Sequence, residues 1–210
     1  MNIHTVNQHA RQRLTKTPVQ EHPFPHFFVK NVFPNEYHQK ILENWPKTEN
    51  LSSIADSGHI DPGSYRERHF MSLMRPSTEH ATSEPHSQLQ IVQDCENHNI
   101  GPHTDAPHRP ISNLLFCPSD FSQCEIGTSL YEPHPNTDIQ RKIPSTHYSH
   151  KDFLKTGTAP FIPNSLFSFV ITPKFFHGVE KNSAQEENVQ RNLILHFVRW
   201  KTGKDKGEAL

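Results

Sequence analysis

The stretch SLFSFVITPKFFHGV, residues 165–179, contains two short apolar runs separated by Thr, Pro and Lys. In the first run Phe167 and Phe169 occupy alternate positions, so both point to one face of a strand, and we expect both in the core. From residue 88 onward similar runs recur between turn-forming residues, namely LQIV, ISNLLF, TSLY and NLILHFV. Short strands with turn signals between them predict an antiparallel β-sandwich or barrel.

The chain before residue 88 has a different pattern, with one predicted strand, one predicted helix and a long polar segment. PFPHFFVKNVF, residues 23–33, is rich in Phe and Val and predicts a short strand. An apolar stripe at helical spacing follows and ends at a proline, which predicts a core-facing helix made by Tyr37, Ile41 and Trp45 before Pro46. Residues 47–87 are rich in Ser, His and Pro around one strand-like piece, SYRERHFMSL. We expect this long irregular segment to be disordered or to form a binding lid.

These patterns divide the chain into three parts. Residues 1–22 are polar and lack hydrophobic periodicity, which predicts a loose N-terminal arm. Residues 23–200 are expected to form one domain, in which a cap over residues 23–87 precedes a β core over residues 88–200. Residues 201–210 are charged and predict a frayed tail. The expected fold class is mainly β with an N-terminal helical and loop cap.

Composition narrows the class of function. The formal net charge is -1 at pH 7 and no basic stripe is present, which argues against nucleic acid as the main partner. No apolar run approaches the roughly 18 residues of a membrane span, and the N-terminus has no apolar signal-peptide segment, so we expect a cytoplasmic protein without a membrane partner. Cys95, Cys117 and Cys124 form no CxxC pair and are expected to be reduced, mostly buried small hydrophobic residues. A redox or metal role for Cys117 and Cys124 has no supporting His–Cys spacing.

The segment GPHTDAPH, residues 101–108, places His103 two residues before Asp105. On an extended segment such residues point to the same side, so both side chains can reach one ion while Thr104 points away. An iron(II) ion that activates O2 takes two imidazoles and one carboxylate on one face. His177, at the start of the predicted strand FFHGV, is the candidate third ligand. The alternative is that these are surface polar residues in turns, because a chain with 17 His contains coincidental pairs.

Arg191 opens the final predicted strand, RNLILHFV, fourteen residues after His177. Its parity in that strand is the parity of Leu193, Leu195 and Phe197. Its side chain should therefore point into the barrel. A guanidinium beside a metal suits a dicarboxylate co-substrate, since its fork accepts a carboxylate bidentately. The alternative is an ordinary arginine at a strand edge, in which case Arg199 is the next candidate for the anchor.

HTD, then His177, then Arg191 resembles the HxD…H…R signature of the Fe(II)/2-oxoglutarate-dependent oxygenases. The segments PFPHFFVKNVFP, IGPHTDAPHRPISNLLFCP, GTSLYEP and PNSLFSFVITPKFFHGV are similar to a bacterial branch of that superfamily. The resemblance covers residues 23–45 and 99–198, and the register of HxD with the later motifs makes it specific. It implies a double-stranded β-helix (jelly roll, cupin-like) with Fe(II), 2-oxoglutarate and O2 in its mouth. The implied metal ligands are His103, Asp105 and His177, and the implied 2-oxoglutarate anchor is Arg191.

Further contacts to 2-oxoglutarate are expected on the run TSLY. Ser129 and Tyr131 share one face of this run, and we expect them to point into the barrel, either as pocket lining or as plain core packing. Tyrosine is common in the superfamily where Phe116 stands here, so a phenolic contact to 2-oxoglutarate is missing. The superfamily also usually has a longer helical stretch where residues 75–87 are short and polar.

Three residues are candidates for contact with the substrate that is oxidised. Arg66 and Arg68 alternate on the strand-like piece and suit an anionic substrate, or they are charged residues on the outer face of a half-exposed strand. His108 is a substrate contact or a fourth ligand, or a solvated loop histidine. The polar region 47–87 favours a polar small molecule or a peptide side chain over a lipid.

The favoured function is an Fe(II)- and 2-oxoglutarate-dependent oxygenase that hydroxylates an unactivated C–H bond and releases succinate and CO2. One alternative is a cupin-like metalloprotein, an isomerase or a dioxygenase that does not use 2-oxoglutarate, which leaves Arg191 and GTSLY unexplained. Another is a non-catalytic binding module on the same fold, against which the intact His103, Asp105 and His177 argue. Metal analysis and a succinate assay separate these three.

Overall fold

Short strands built from alternating residues dominate this computed structural model, which describes residues 1–57, 67–74, 86–96, 98–106, 108–137, 139, 147–172, 175–180 and 190–199. Two helices lie in the described chain, α1 (Ile3–Lys16) and α2 (Asn35–Glu43). The strands are β1 (His26–Lys30), β2 (Ser52–Ser53), β3 (Arg68–Met74), β4 (His86–Asp94), β5 (Ile100–His103), β6 (Ile111–Phe116), β7 (Thr128–Pro133), β8 (Phe153–Ala159), β9 (Ser165–Val170), β10 (Phe176–Val179) and β11 (Arg191–Arg199). Single 3-10 turns occur at Thr48–Asn50, Ala55–Ser57 and His150–Asp152.

The strands form two antiparallel sheets. The larger sheet has the order β1-β9-β6-β11-β4-β3-β2, and the smaller sheet has the order β5-β10-β7-β8. From β4 to β11 the chain crosses repeatedly between the sheets, with β4, β6, β9 and β11 in the larger and the others in the smaller. This crossing pattern is that of a jelly roll. The predicted mainly β, double-stranded β-helix fold is confirmed.

An aromatic core fills the space between the sheets. Phe167 and Phe169 are 0% and 1% exposed, which confirms their predicted core positions. They pack in the largest apolar cluster, which also contains Phe116, Phe161 and Phe175. The rings of Phe169 and Phe175 stack with their centroids 4.3 Å apart.

Strand β11 runs through the larger sheet between β6 and β4. Its buried positions alternate along the strand and are Arg191, Leu193, Leu195 and Phe197. Because residues two apart in a strand share a face, the predicted inward orientation of Arg191 is confirmed. A buried arginine at the start of an apolar row must find polar partners inside the fold.

The N-terminal segment differs from the prediction, because residues 3–16 form helix α1 rather than a loose arm. Asn2 caps the helix, and its side chain accepts a hydrogen bond from the backbone N–H of His4. Val6 is 2% exposed, and Arg13 donates two hydrogen bonds, of 3.2 and 2.8 Å, to the Lys30 carbonyl of β1. The apolar residues of the helix are few, but Val6, Ala10 and Leu14 follow helical spacing. This sparse stripe is the signal that the prediction of a loose arm overlooked.

The rest of the N-terminal cap matches the prediction in part. Strand β1 and helix α2 lie where the sequence predicts a strand and a helix. Ile41 and Trp45 pack against the cluster of Val29, Val32, Leu115 and Cys117. The strand-like piece SYRERHFMSL becomes β3 from Arg68 onward. Residues 58–66, which include Arg66, and residues 75–85 and 201–210 lie outside the described residues, so the expectations for them stay predictions.

Two strands carry no clear alternation in the sequence. Strand β5 contains Gly101 and Pro102, and strand β8 reads FLKTGTA with Leu154 exposed. Both lie at the edges of the smaller sheet, where proline and exposed side chains are tolerated because one side has no partner strand. Edge positions therefore explain why apolar periodicity did not predict them.

All three cysteines are free thiols, as expected; Cys117 is buried, whereas Cys95 and Cys124 are partly exposed. Burial raises the pKa of the Cys117 thiol to about 12, so it behaves as a small apolar residue. Among the described residues, none of the helices has the length and apolar character needed to cross a membrane.

Candidate functional site

The pairing of β5 with β10 brings two histidines together. His177 lies directly opposite His103, and their ring centroids are 4.2 Å apart. Directly opposed residues of an antiparallel pair share a face of the sheet. The ladder shifts register immediately afterwards, between His177 and Val179, and such bulges redirect side chains next to functional sites. Both side chains are 10% exposed.

Asp105 follows the end of β5 and completes the group. Its Oδ1 lies 4.0 Å from His103 Nε2 and 3.9 Å from His177 Nε2. Its Oδ2 accepts a 2.6 Å hydrogen bond from the Ser112 hydroxyl on β6. The three ligand atoms lie within 4.8 Å of one another, and no other His, Cys, Asp or Glu group in the described chain has this spacing. We call His103, Asp105 and His177 the triad.

The ring nitrogens of the two histidines are arranged for ligation. His103 Nδ1 lies 2.9 Å from the Gly101 carbonyl, so Nδ1 carries the proton and Nε2 presents its lone pair toward Asp105. His177 also directs Nε2 toward Asp105. Its buried Nδ1 has no hydrogen-bond partner among the described residues. Both Nε2 atoms therefore converge on one point beside the carboxylate.

Burial sets the protonation states of the triad. It lowers the pKa of His177 to about 3 and also lowers the pKa of His103, which the attraction of Asp105 only partly offsets. For Asp105, burial alone would raise the pKa, but the two histidines and the Ser112 hydrogen bond outweigh burial and lower it. At neutral pH the imidazoles are neutral and the carboxylate is ionised, which are the forms that bind metal ions.

Gly178 allows β10 to approach β5 closely. A Cβ atom at this position would lie 2.5 Å from the Ile100 carbonyl oxygen and 3.1 Å from the Gly101 carbonyl oxygen. A side chain there would push β5 away and separate His103 from His177. The glycine that follows His177 in FFHGV is thus needed for the spacing of the two histidines.

A second polar cluster lies on the larger sheet. The strand register places Arg68, Asp94 and Arg191 side by side on β3, β4 and β11. Arg68 donates to both oxygens of Asp94, at 2.6 and 3.0 Å, and Arg191 donates to Asp94 Oδ2 at 3.0 Å. The Asp94 side chain is fully buried and that of Arg191 is 3% exposed. We call Arg68, Asp94 and Arg191 the arginine cluster.

The two other nitrogens of Arg191 also donate hydrogen bonds. Its Nε donates to the Ile126 carbonyl at 2.9 Å, and its second terminal nitrogen donates to the Thr128 hydroxyl at 2.7 Å. The guanidinium carbon lies 5.4 Å from the ring centre of Phe116 and 5.5 Å from that of Phe161. Cation–π contacts and hydrogen bonds therefore hold this buried side chain in one orientation.

The arginine cluster contains two cations and one anion. Burial alone would raise the pKa of Asp94, but the charges of Arg68 and Arg191 and the hydrogen bond from Arg68 outweigh it, and the pKa falls below its usual value. Burial lowers the pKa of the neighbouring His98 to about 3, so this imidazole is neutral. The cluster thus has a net positive charge inside the fold, which favours an anion beside it.

The triad and the arginine cluster adjoin each other. Arg191 donates to the Thr128 hydroxyl, and Thr128 lies two residues before Leu130, the residue directly opposite His177. In agreement with this contact, the charge of Arg191 contributes to the lowered pKa of His177. A metal at the triad and an anion at Arg191 would therefore belong to one site.

The face of β7 that looks toward the site is not the one expected. The ladder pairs His177 with Leu130, so Leu130 and Thr128 share the face of His177. Ser129 and Tyr131 lie on the opposite face, and the expectation that they point into the barrel is wrong. The run TSLY is buried on both faces, so its apolar pattern does not reveal which face is inside.

Tyr131 belongs to a separate cluster on the outer side of the smaller sheet. It packs with Phe153 and Phe176, and its hydroxyl donates a 2.9 Å hydrogen bond to Glu180. Lys155 donates to the other oxygen of Glu180 at 2.7 Å. The hydroxyl that contacts Arg191 is that of Thr128, which directly precedes the expected residue Ser129 in the sequence.

The candidate substrate residues lie in different places. Arg68 is bound to Asp94 inside the fold with 16% of its side chain exposed, so it is not on an outer strand face. His108 Nε2 lies 3.2 Å from a terminal nitrogen of Arg199, and His108 is not in the group of ligand-spaced residues. Arg199 ends β11, whereas Arg191 begins it, so Arg199 is not part of the arginine cluster. Arg66 lies outside the described residues.

Besides Ser112, four residues at the site were not singled out from the sequence. Asp94 and Thr128 hold Arg191. His147 lies with its ring 4.8 Å from that of His103, and Arg109 lies close enough to Asp105 for their charges to interact. Asp94 carries a usable signal, since a carboxylate on the same predicted strand as the apolar run LQIV, two residues beyond it, needs a cationic partner if it is buried. His147 carries none, because it stands in a loop without periodicity.

A cavity of about 340 Å³ opens elsewhere, between β1 and β9 of the larger sheet and β8 of the smaller. Its walls include His26, Phe28, Leu130 and Phe167. Neither the triad nor Arg191 lines it. Donor geometry and charge, rather than cavity size, therefore identify the candidate site.

No family model and no curated protein matches the chain. Solved structures match at the level of the fold. A prolyl hydroxylase from Trichoplax adhaerens, in complex with a hypoxia inducible factor oxygen degradation domain peptide fragment, is 13% identical with a TM-score of 0.54, over 92% of this chain and 88% of that one. The non-heme alpha ketoglutarate dependent carbocyclase SnoK from nogalamycin biosynthesis is 11% identical with a TM-score of 0.50, over 95% and 88%. This chain therefore has the jelly-roll fold of these oxygenase structures.

Proposed function

We propose that the protein is an Fe(II)- and 2-oxoglutarate-dependent oxygenase. The observation that carries the proposal is the triad, whose two neutral imidazoles and one carboxylate have ligand atoms within 4.8 Å of one another. Two histidines and one carboxylate are the donor set of non-heme Fe(II) oxygenases. His103, Asp105 and His177 would hold the ion, and bound Fe(II) supplies the O2 chemistry. The protein contributes ligation, orientation and exclusion of water.

Arg191 is the residue that we assign to 2-oxoglutarate. Its guanidinium is fixed by Asp94, Thr128 and the Ile126 carbonyl, so little rotamer freedom is lost when a carboxylate binds. The net positive charge of the arginine cluster favours a dianionic co-substrate. Phe116, which lies beside the Arg191 guanidinium, has no hydroxyl that could contact 2-oxoglutarate. The Thr128 hydroxyl, which is bound to the same guanidinium, supplies a polar group there.

Hydroxylation is the outcome that we propose for the reaction. Halogenases of the superfamily resembled by this sequence lack the acidic ligand and use the vacancy for halide. Here Asp105 occupies that position, and Ser112 fixes its second oxygen. Hydroxylation of an unactivated C–H bond, or a related desaturation or ring closure, is therefore expected. A chlorinated product from the wild-type protein would contradict this assignment.

The substrate class that we propose is a polar small molecule or a peptide side chain. The polar composition of residues 47–87 supports this class, and the Trichoplax structure contains a peptide. We also propose a cytoplasmic location, which the three free thiols support.

The test is succinate release. The purified protein is incubated in air with Fe(II), 2-oxoglutarate and a metabolite extract, and succinate and products heavier by one oxygen atom are measured by mass spectrometry. Wild type should release succinate only when Fe(II) and 2-oxoglutarate are both added. Asp105→Ala should not, whereas Asp56→Ala, which removes an exposed carboxylate, should match wild type. Succinate release by Asp105→Ala at the wild-type rate would contradict the proposal.

A further inference from the structure

Arg109 lies in the turn between Asp105 and β6. Its backbone N–H donates a 2.9 Å hydrogen bond to the Ala106 carbonyl, which closes the turn. The guanidinium carbon lies 4.4 Å from the centre of the Phe197 ring. A guanidinium on an aromatic face is held in orientation while its edge stays available for hydrogen bonds.

The guanidinium of Arg109 is incompletely satisfied. Its Nε is buried and has no hydrogen-bond partner among the described residues. No ion pair within 4.0 Å includes Arg109 in the same part of the chain. Buried polar groups are nearly always hydrogen-bonded, so an unmet donor of this kind calls for a partner that is not part of the fold.

The charges around Arg109 favour an anion as that partner. Burial lowers the pKa of Arg109 and so disfavours its charged form. The charge of Asp105 raises this pKa, and the charge of Arg199 lowers it. Asp105 is a triad residue, so a bound metal ion would take up much of its negative charge. With the metal bound, Asp105 would compensate the charge of Arg109 less, and a carboxylate beside this buried guanidinium would restore the compensation.

The position of Arg109 differs from that of Arg191. Arg191 and Phe197 stand at the two ends of the buried row of β11, and Arg109 lies on Phe197. Six residues of extended strand span roughly 20 Å. Asp105 is bound to Ser112, which lies directly opposite Phe197 in the ladder, so Asp105 stands at the Arg109 end of the row. Arg191 is bound to Thr128, two residues before Leu130, which lies opposite His177. The two guanidinium groups therefore approach the triad from different ends of β11. One carboxylate ligand cannot serve both arginines.

We propose that Arg109 binds a carboxylate of the substrate that is oxidised, and that the substrate is a small-molecule carboxylic acid. This inference rests on the proposed function, because it takes Arg191 as the 2-oxoglutarate residue. The fork of an arginine accepts the two oxygens of a carboxylate in one plane. Arg109 would hold the acid group while the rest of the molecule extends toward the triad.

The test uses phenylacetate, a monocarboxylate with an apolar body, and phenylacetamide, its uncharged analogue. Binding is measured by isothermal calorimetry on full-length protein saturated with Mn(II) and 2-oxoglutarate without O2, and again without either addition. Wild type should bind phenylacetate at least about tenfold more tightly than phenylacetamide, because a charge-assisted hydrogen bond is stronger than a neutral one. Arg109→Gln should lose this preference, and Arg109→Lys should keep part of it.

Arg11→Gln is the matched control, because Arg11 is exposed on α1 and its loss changes the net charge equally. It should bind phenylacetate as wild type does. Equal binding of acid and amide by wild type, or unchanged phenylacetate affinity in Arg109→Gln, would overturn the inference. Tighter binding of inorganic phosphate than of phenylacetate would overturn the carboxylate assignment.

Failure of the proposed function gives a different result. Absent binding of Mn(II) and 2-oxoglutarate, with the Arg109-dependent preference for phenylacetate intact, would contradict the oxygenase proposal and leave an acid-binding site at Arg109. Normal Mn(II) and 2-oxoglutarate binding without the preference would contradict only the acid-binding site. If Arg109→Gln weakened 2-oxoglutarate more than phenylacetate, Arg109 would belong to the co-substrate site and the inference would be wrong.

Discussion

The triad and the arginine cluster lie on facing sheets and are satisfied to different degrees. In the arginine cluster the partners are mutual, since Asp94 accepts from both Arg68 and Arg191 at 2.6 to 3.0 Å. In the triad the Asp105 carboxylate oxygen stands 3.9 to 4.0 Å from the two imidazole nitrogens, too far for hydrogen bonds. The members of the arginine cluster are held together by hydrogen bonds to one another, whereas the ligand atoms of the triad point toward a common position.

This difference in hydrogen bonding predicts that the arginine cluster contributes mainly to stability and the triad mainly to metal binding. A buried ion-pair cluster destabilises the fold strongly when one member is removed, because an uncompensated charge remains. A group of neutral imidazoles without mutual hydrogen bonds contributes little to folding and keeps its lone pairs for a metal. Substitutions in the arginine cluster should therefore change the free energy of unfolding, and substitutions in the triad should change metal affinity.

The largest effect on binding is expected at His177. His177→Ala removes one of three protein ligands and should abolish tight Mn(II) or Fe(II) binding. It should change the free energy of unfolding of the metal-free protein less than Asp94→Asn does. Metal content is measured by mass spectrometry after dialysis, and His4→Ala, at an exposed position, serves as the control. Stoichiometric metal in His177→Ala would mean that another residue ligates it, and His108 would be the first to test.

The largest effect on stability is expected at Asp94. Asp94→Asn leaves two buried guanidinium groups without a carboxylate and should lower the free energy of unfolding by about 3–5 kcal/mol, measured by urea denaturation at pH 7. Glu49→Gln, which breaks the exposed pair with Lys47 at 3.8 Å, should cost no more than about 1 kcal/mol.

The Asp94 effect has a defined pH dependence. The folded-state pKa of Asp94 is depressed, so its contribution is fully present above its unfolded pKa of about 3.9 and is lost as the pH falls through the folded value. The difference between wild type and Asp94→Asn should therefore be constant from neutral pH down to about pH 5 and shrink below it. A difference that grows on acidification would contradict the assigned ion pair.

Arg191→Ala should affect both regions, because Arg191 is part of the arginine cluster and faces the triad. Losing one partner of a buried charge pair costs about 2–5 kcal/mol, and a charge-assisted hydrogen bond contributes about 1.5–3 kcal/mol. At about 1.4 kcal/mol per tenfold, 2-oxoglutarate binding should weaken by roughly 10- to 1000-fold.

Metal affinity should change little in this variant, because Arg191 is not a ligand, and Arg191→Lys should restore part of the 2-oxoglutarate affinity. The half-saturating 2-oxoglutarate concentration is read from succinate release. An unchanged value in Arg191→Ala would move the anchor elsewhere, with Arg199 as the next residue to test.

The smallest effects distinguish the two faces of β7. Thr128→Val removes the hydroxyl that holds Arg191 and should weaken 2-oxoglutarate binding by roughly two- to tenfold, the equivalent of one ordinary hydrogen bond. Tyr131→Phe removes a hydroxyl on the opposite face, which is bound to Glu180, and should leave 2-oxoglutarate binding as in wild type. A larger loss in Tyr131→Phe than in Thr128→Val would contradict the register of β7 with β10.

The sequence predicted the parts of the site that depend on local spacing. His103 and Asp105 are two residues apart on an extended segment, and Arg191 shares the parity of an apolar strand, so periodicity alone placed their side chains. The inward face of TSLY was not predictable, since β7 is buried on both faces. The partners of Arg191 were missed for another reason: Asp94 is 97 residues away in the chain, and only the order of strands in the sheet brings them together.

The central claim is that the triad and Arg191 form one site for a metal and 2-oxoglutarate. The most direct measurement is a calorimetric titration of the metal-free protein with Mn(II), followed by 2-oxoglutarate in the absence of O2. One Mn(II) per chain should bind, and 2-oxoglutarate should bind at least about tenfold more tightly with Mn(II) than without it, because the co-substrate contacts both the metal and Arg191. Equal 2-oxoglutarate affinity with and without Mn(II) would contradict the claim.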